Sequence, residues 1–472
     1  MGFKHHDEAR TDAVVALIKW LSGSPESRVA LIDDLYGKYR LILWPGRGAP
    51  EEMAQTVKGV LGEAAGSYWS DQVWVVTSQT SKLDQQVYDG AWEEGRPHPD
   101  EPRLRIVDRV RSRVAWFGEL TDPPWDVRAE THRKGPPIVV FYSFKGGVGR
   151  TTALASFAIQ RARAGERVVV IDGDLDAPGI GPLFEVENSG LGDTEQPPAG
   201  ALTIREGGDQ RDEVQLEPTA GGGALWGMVD YLLEGPSPGD VELSDYYQSV
   251  RSEEIVPGNG EILIFSAGRI DENYLAKLAR LDFDPARKGT TTPWAQLLQR
   301  IRQELSPNWI LMDSRAGLGE PAGLLLGGMA HLHVLLGTSS EQSWQGIRLI
   351  LDRIGSGRVL QGKPQAECVL VQAMIPELDQ AAADAQEAFL TRSEKEFEAH
   401  YYAEDPQDPE DDSMWFIRDK PGKDAPHQPV CLSYKQKLAH FRRLEYVVPE
   451  LLGEEYRKLA ERIESRFVEE RE

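Results

Sequence analysis

The chain has 472 residues, of which 40% are hydrophobic and 27% are charged, as in an ordinary globular protein. Acidic residues outnumber basic ones by 76 to 52, and the resulting formal charge of −24 opposes long-range attraction to DNA or anionic lipid. Two cysteines, Cys368 and Cys431, are too few for a disulfide scaffold, an all-cysteine zinc site or an iron–sulfur cluster held by one chain. With a charged start and no apolar run of about 18 residues, the sequence predicts a cytoplasmic protein without a membrane span.

Residues 1–130 predict a small α/β domain. Helical patterns at Asp12–Leu21 and Pro50–Ala65 alternate with strand patterns at Arg40–Trp44 and Val73–Thr77. No motif in this domain indicates a function. The polar stretch that follows is interrupted by prolines, so we expect a linker at 131–137.

Beyond the linker, strands alternate with helices, which predicts a doubly wound, mainly parallel sheet. We assign residues 138–472 to this larger α/β domain, with a surface insertion at about 185–260 and a helix near Met228–Leu233 inside it. A second acidic run at 404–412 predicts a solvated loop. The predicted strands are 137–144, Arg167–Ile171, Ile262–Phe265, Trp309–Met312, Leu332–Leu336 and Val369–Gln372, and the first is followed by a helix at Thr151–Ala164.

The segment Lys145-Gly-Gly-Val-Gly-Arg-Thr-Thr lies between the first of these strands and its helix. Its glycines allow a tight turn that points backbone N–H groups inward, and the helix directs its positive end to the same point. Together they form a site for the phosphates of a nucleotide. A purely structural glycine turn is the alternative, and the strand–loop–helix context disfavours it.

This motif resembles the deviant Walker A sequence KGGxGK[ST]T of the ParA/MinD superfamily, which are P-loop ATPases of the SIMIBI class. Every defined position matches except one, because Arg150 stands where the family has its P-loop lysine, as in a KGGVGR-variant subgroup. The resemblance covers about residues 137–465 and implies ATP and Mg²⁺ as ligands. The nucleotide-binding residues it implies are Gly146, Gly147, Val148, Gly149, Arg150, Thr151 and Thr152.

Four positions of the motif carry roles in the family. By the resemblance, Lys145 reaches the partner's nucleotide in a homodimer, Thr151 binds Mg²⁺ and Thr152 contacts the α-phosphate. Arg150 would bridge the β- and γ-phosphates. An arginine keeps the charge and grips phosphate in a bidentate manner, but it is planar and bulkier than an ammonium group, so we expect binding with slow hydrolysis.

Carboxylates follow the second strand of the larger domain, in VVVIDGDLDAPG at 168–179. Open α/β sheets bind ligands at the carboxyl ends of their strands. The resemblance assigns Asp174 to orienting the attacking water and Asp172 to supporting the Mg²⁺ shell. Capping of the next turn is the alternative, and it is the favoured one for Asp176.

A second carboxylate motif is WILMDSRAGLGE at 309–320. Asp313 resembles the Walker B aspartate that holds a water on Mg²⁺, and Gly317 resembles the switch glycine near the γ-phosphate. Arg315 departs from the proline-rich sequence of ParA proteins. Contact with phosphate or a partner subunit, and a surface salt bridge, are equal alternatives for it.

The later strands supply candidates for the base. In the family, the loop after the strand at Val369–Gln372 helps to hold adenine, which selects Gln372 and Pro376. Ordinary strand-end residues are an equal alternative for both.

Two basic clusters stand out against the acidic background. Pairing with the many acids is the favoured interpretation, so the sequence does not favour nucleic-acid binding, although the later cluster leaves it open. The clusters are Arg103, Arg105, Arg109, Arg111 and Arg113, and Lys435, Lys437, His440, Arg442 and Arg443.

The final helix carries more acids than bases and has an apolar face formed by Tyr456, Leu459, Ile463 and Phe467. This composition predicts packing on the core and not a membrane anchor.

The leading functional hypothesis is a dimeric, ATP-binding molecular switch that hydrolyses ATP slowly and controls a protein partner. The resemblance suggests a bacterial defence or signalling system as the setting, and the sequence does not identify the partner. The alternative is a non-hydrolysing nucleotide-binding protein with a regulatory or scaffold role. A bacterial tyrosine kinase is disfavoured because the end of the chain lacks a tyrosine cluster, and the cysteine count disfavours a reductase.

Overall fold

The computed structural model describes residues 4–110, 112–118, 120–127, 135–184, 226–234, 241–283, 292–376, 379–406 and 414–467. The chain divides into two compact units, Met1–Phe117 and Gly118–Glu472, so the division lies before the boundary expected at residue 130. Most of the predicted insertion, the first part of the linker and most of the acidic loop lie outside the described residues.

Within its described residues, the first unit is a five-stranded sheet in the order β3-β2-β1-β5-β4. Strand pairs β1/β5 and β2/β3 are parallel, whereas β1/β2 and β4/β5 are antiparallel. All four elements predicted here from sequence are present. The helices are α1 (His6–Ser22), α2 (Pro50–Ala65), α3 (Lys82–Glu94) and α4 (Val114–Phe117), and the strands are β1 (Arg28–Asp33), β2 (Tyr39–Trp44), β3 (Trp69–Val75), β4 (Arg96–His98) and β5 (Glu101–Asp108).

Helical periodicity builds the core on one face of this sheet. The buried residues of α1 recur every four positions, and those of α2 follow the same spacing, so each helix presents a narrow apolar stripe to the strands. The opposite face carries a smaller cluster in which Trp44 and Ala91 are buried. The unit therefore has two apolar layers around one sheet.

The arginine-rich segment of the first unit forms part of β5 and the residues after it. Arg103 pairs with Glu101 at 2.6 Å, and Arg109 pairs with Glu94 at 2.6 Å. Arg105 donates to the backbone carbonyl of Trp92 at 2.8 Å and lies over that indole ring. These contacts support the interpretation that the arginines bind neighbours within the unit; Arg111 lies outside the described residues.

The second unit has the larger sheet, with strand order β13-β12-β11-β6-β10-β7-β9-β8. Neighbouring strands are parallel except β8 and β9, which are antiparallel. The helices are α5 (Arg150–Arg163), α6 (Ile180–Leu183), α7 (Met228–Glu234), α8 (Tyr274–Leu278), α9 (Pro293–Arg300), α10 (Glu320–Leu324), α11 (Glu341–Ile354), α12 (Ser356–Val359), α13 (Asp379–His400), α14 (Gln436–Ala439), α15 (Val448–Leu451) and α16 (Glu454–Ser465), and the strands are β6 (Ile138–Ser143), β7 (Arg167–Gly173), β8 (Gln248–Ser249), β9 (Glu261–Phe265), β10 (Trp309–Ser314), β11 (Leu332–Gly337), β12 (Cys368–Ile375) and β13 (Val430–Ser433).

This sheet confirms the predicted doubly wound, mainly parallel fold. Strands β6, β10 and β11 are buried along their whole length, as expected when helices cover both faces. The final helix packs on the core as predicted: Tyr456, Leu459 and Ile463 are buried, and the Phe467 ring lies 5.5 Å from that of Trp309. None of the described helices is both long enough and apolar enough to cross a bilayer.

Two side chains, the buried Arg358 and the half-buried His331, bond the start of the second unit to its own sheet. Arg358 donates to the carbonyl oxygen of Thr121 at 2.8 Å. The His331 ring accepts the Ile138 N–H at 3.0 Å through Nδ1, and its Nε2 lies 2.7 Å from the carbonyl oxygen of Trp125. Burial lowers the pKa of His331 to about 4, which keeps the ring neutral, so that one nitrogen accepts while the other donates.

The register of the parallel strands positions the functional site. Asp313 at the end of β10 is paired with Asp172 of β7 on one side and with Phe141 of β6 on the other. The carboxyl ends of these strands therefore lie together at one edge of the sheet, where the loop between β6 and α5 also begins.

Candidate functional site

The loop between β6 and α5 is shaped around open space. Gly147 and Gly149 have φ values of 74° and 87°, in the left-handed region that favours glycine. A β-carbon added at Gly146, Gly147 or Gly149 would meet no heavy atom within 4 Å. Helix α5 begins directly after Gly149 without a side-chain cap, so its first N–H groups can bind an anion. The predicted strand–loop–helix arrangement is confirmed.

Arg150, the first residue of α5, turns toward the strand ends. Its Nε donates to Oδ1 of Asp313 at 2.5 Å, and its Nη2 donates to Oδ2 of Asp174 at 3.0 Å. The Thr151 hydroxyl donates to Oδ2 of Asp313 at 2.7 Å. Four residues selected from the sequence therefore form one hydrogen-bonded cluster beside the loop.

Burial disfavours the charged forms of the side chains in this cluster, and their mutual contacts favour them. The Arg150 side chain is 10% exposed and that of Asp313 is 1% exposed. Burial works against the charge of Arg150, but Asp313 and Asp174 outweigh it and raise the pKa of the guanidinium. Burial also raises the pKa of Asp313, which Arg150 and Thr151 lower in part. Since both donors are directed at its oxygens, we treat Asp313 as the anionic partner of Arg150.

Asp172 has a different set of partners. Its carboxylate accepts backbone N–H groups from Asp174 at 3.1 Å, Gly179 at 3.1 Å and Ile180 at 3.0 Å. Burial and the neighbouring Asp313 raise the pKa of Asp172 to about 8. Asp172 thus organises the loop after β7, and its place in a Mg²⁺ shell stays a prediction.

The loop after β10 is tied to its neighbours on both sides. Gly317, with φ of 74°, donates its N–H to the carbonyl of Ser143 at 3.3 Å, and the Tyr142 hydroxyl donates to the carbonyl of Gly317 at 3.0 Å. Arg315 forms an ion pair with Asp176. Of the two alternatives for Arg315, the structure contains the salt bridge.

The remaining predicted residues lie at the rim or in the core. Lys145 is exposed and, in the part of the chain that the structure describes, forms no ion pair; Thr152 is half-buried. Gln372 is buried within β12, three residues before its end, and its amide donates to the carbonyl of Ala385 in α13 at 3.0 Å. Pro376 is exposed just beyond β12. The adenine contact of Gln372 and Pro376 stays a prediction, and the Gln372 amide is already engaged in packing α13.

The later basic cluster is largely matched by acids. Lys435 lies 3.4 Å from Glu455, and Lys437 lies 2.6 Å from Glu450. Arg443 pairs with Glu445 at 2.9 Å, whereas His440 and Arg442 are exposed. These contacts support pairing with acids over nucleic-acid binding.

Sequence analysis did not identify the residues that pack next to the start of the phosphate loop. The Phe144 ring packs against α11 at Gly346, where a β-carbon would lie 1.9 Å from the ring. A glycine inside a helix costs about 1 kcal/mol relative to alanine, so Gly346 was a signal of close approach. Tyr142, a polar-tipped residue at the end of a buried strand, was a second such signal.

Comparison with known proteins gives consistent matches. Residues 139–374 match the family model of the CobQ/CobB/MinD/ParA nucleotide binding domain. An uncharacterized ATP-binding protein of Methanocaldococcus jannaschii is 33% identical over 106 residues, covering 22% of this chain and 36% of that protein. The cytosolic Fe-S cluster assembly factor cfd1 of Neurospora crassa is 35% identical over 105 residues, covering 22% of this chain and 31% of that protein. The chain thus spans about a third of the length of these two relatives.

Among solved structures, the septum site-determining protein MinD of Pyrococcus horikoshii, complexed with Mg-ADP, is similar to this chain. The sequence identity is 18% and the TM-score is 0.32, and the match covers 54% of this chain and 77% of that one.

Proposed function

The chain belongs to the CobQ/CobB/MinD/ParA nucleotide-binding family, and from that membership we propose that it is an ATP-dependent molecular switch with low ATPase turnover. One observation carries the proposal. The open glycine loop is adjacent to a cluster in which Arg150 and Thr151 bond to strand-end carboxylates. This arrangement combines an anion site with hard oxygen ligands, which a nucleotide and its metal both need.

The residues fit a magnesium nucleotide. Around the loop glycines there is room for phosphate, and the uncapped start of α5 supplies N–H donors. The Thr151 hydroxyl and the Asp313 carboxylate are oxygen donors of the kind that Mg²⁺ prefers. When bound, Mg²⁺ would neutralise phosphate charge; Thr151 and Asp313 would hold it.

Arg150 would hold the phosphates, but only after exchanging its present partners. It now bonds to both Asp313 and Asp174 in a buried setting, so the exchange breaks two charge-assisted hydrogen bonds. Once released, the Asp174 carboxylate would orient the attacking water. Because the exchange competes with phosphate binding, we expect turnover well below the enzyme median of about 10 per second.

A homodimer and a protein partner complete the proposed switch. Lys145 is exposed at the start of the loop, on the surface that a second copy would have to approach. The setting we propose is the cytoplasm, in a bacterial defence or signalling system, and both cysteines are free thiols in agreement with a reducing compartment.

A non-hydrolysing nucleotide-binding regulator is the second candidate. It is favoured by the bond from Arg150 to Asp174, because the residue assigned to the water is engaged by the residue assigned to the phosphates. Measured turnover separates the two candidates: phosphate release by the wild-type protein contradicts the second.

Thr151→Ala should weaken ATP binding in the presence of Mg²⁺ by roughly 10- to 150-fold, since one charge-assisted contact is worth about 1.5–3 kcal/mol. Isothermal titration calorimetry with ATP, with and without Mg²⁺, measures the effect. Thr56→Ala is the matched control, because Thr56 is exposed on α2 and its hydroxyl donates to the carbonyl of Glu52 in the same helix. Equal, tight binding by wild type and Thr151→Ala would contradict the Mg²⁺ role, and no binding by wild type would contradict the proposed function.

Lys145→Ala should prevent dimerisation that ATP induces. We expect the wild-type mass to double in light scattering with Mg²⁺ and a non-hydrolysable ATP analogue, because a lysine at the start of the loop can reach a nucleotide in a facing subunit. Lys458→Ala is the control, since Lys458 is an exposed residue that pairs within α16. A wild-type protein that stays monomeric with saturating analogue would rule out this dimer.

A further inference from the structure

A second arginine stands at the carboxyl edge of the sheet, outside the phosphate loop. Arg315 follows Asp313 by two residues and forms an ion pair with Asp176, in the loop after β7. Strands β7 and β10 are parallel neighbours, with Asp172 opposite Asp313. The loops that carry Arg315 and Asp176 therefore leave the sheet side by side, next to the Arg150 cluster.

The loop after β10 makes room for this arginine. A β-carbon at Gly319 would lie 2.9 Å from Cδ of Arg315, so the arginine stem runs close against the Gly319 backbone. Gly319 has φ of −66°, which any residue adopts. The backbone angle therefore does not require glycine here, and the Arg315 side chain lies over the space that a β-carbon would take.

The same loop is bonded to the end of β6, the strand that leads into the phosphate loop. Between Arg315 and Gly319, the backbone of Gly317 bonds to Ser143 and to the Tyr142 hydroxyl at the end of β6. Because strand β6 leads directly into the phosphate loop, a displacement of Gly317 would also displace the start of that loop. Arg315 thus pairs with a carboxylate of the loop after β7, and its own loop is bonded to the strand that leads into the phosphate loop.

The two arginines near the site are held with different strength. The Arg150 side chain is 10% exposed and bonds to two carboxylates, whereas Arg315 is 37% exposed and Asp176 is 41% exposed. An exposed ion pair contributes little to stability and is readily exchanged. A phosphate group accepts a guanidinium in a bidentate manner, which makes it a stronger partner for Arg315 than a solvated carboxylate.

We propose that Arg315 determines specificity for ATP over ADP. It binds the γ-phosphate when ATP is present and returns to Asp176 when the γ-phosphate is absent. This inference rests on the proposed ATP binding. Asp176 then acts as an internal competitor of the nucleotide. When Arg315 exchanges Asp176 for the γ-phosphate, the nucleotide becomes bonded to the loop after β10.

The test compares affinities for a non-hydrolysable ATP analogue and for ADP, both with Mg²⁺, by calorimetry. Arg315→Ala should lower the ATP-to-ADP affinity ratio at least tenfold and leave ADP binding within twofold. Asp176→Asn should act in the opposite direction and raise ATP affinity severalfold, because it frees Arg315. Arg315→Lys should fall between wild type and Arg315→Ala, since it keeps the charge but loses the fork geometry.

The opposite signs separate a phosphate contact from a structural salt bridge. In a merely structural pair, Arg315→Ala and Asp176→Asn would change the ratio in the same direction or not at all. Arg167→Ala is the matched control, because Arg167 pairs with Glu261 at similar exposure and lies at the other end of β7. An unchanged ratio in Arg315→Ala, or weaker ATP binding in Asp176→Asn, overturns the inference.

The failure of this inference is distinguishable from that of the proposed function. If the wild type binds ATP and Thr151→Ala loses it, but the ratio is unaffected by Arg315→Ala, only the role of Arg315 falls. If the wild type binds neither nucleotide, the proposed function falls and the inference falls with it.

Discussion

Arg150→Ala should destabilise the second unit by about 3–5 kcal/mol, because it leaves the buried Asp313 carboxylate without its cationic partner. The Asp313 side chain is 1% exposed, and its Oδ1 accepts from Arg150 at 2.5 Å. ATP affinity should also fall by at least roughly tenfold, the loss of one charge-assisted phosphate contact. Differential scanning calorimetry measures the stability, and isothermal titration calorimetry measures the affinity.

Arg150→Lys should give an intermediate result. Arg150 reaches Asp313 and Asp174 through two different nitrogens, whereas an ammonium group is a single point and cannot reproduce both contacts. We therefore expect lysine to keep part of the stability and to bind ATP more weakly than arginine does. Binding unchanged by lysine would show that the site needs only a charge at this position.

The double variant Arg150→Ala/Asp313→Asn separates the two effects. It removes the uncompensated buried charge, so it should recover part of the stability that Arg150→Ala loses. It should not recover ATP binding, because both the phosphate ligand and the candidate magnesium ligand are missing. Arg150→Ala with wild-type stability would contradict the view that the pair is a charged one.

Gly346→Ala should weaken ATP binding and destabilise the second unit by about 1–3 kcal/mol, through overpacking behind the phosphate loop. A β-carbon at Gly346 would lie 1.9 Å from the ring of Phe144, the residue that directly precedes Lys145. The ring must move, and the loop that begins beside it must follow. Calorimetric titration with ATP and thermal unfolding measure the two consequences.

Gly59→Ala is the matched control for this change. Gly59 also lies inside a helix, α2, but a β-carbon there would meet no heavy atom within 4 Å. It should stabilise the protein by about 0.5–1 kcal/mol, the ordinary gain from alanine in a helix. A Gly346→Ala variant that behaves like Gly59→Ala would show that Phe144 does not need this space.

Six of the eight described strands of the second unit were predictable because their signals are local. A parallel strand buried on both faces must be a short, continuous apolar run, and β6, β7 and β9–β12 all have that form. The phosphate loop was equally predictable, since its glycines, its strand and its helix are contiguous in the chain. In the first unit, β1 and β5 were missed although they are as long as the predicted β2 or longer. They pair with each other across a long stretch of sequence, and no local pattern of residues indicates that pairing.

The sequence alone determined the type of loop, the succession of strands along the chain and the set of polar residues at the strand ends, because each depends on neighbours along the chain. Only the tertiary structure decided which of those residues bond to one another. Arg150 is 24 positions from Asp174 and 163 positions from Asp313, and the parallel register of β6, β10 and β7 brings them together. The pairing of Arg315 with Asp176 has the same origin, since it joins two loops that are distant in sequence and adjacent at the edge of the sheet. Contacts of this kind depend on strand order in space, to which no local pattern of residues corresponds.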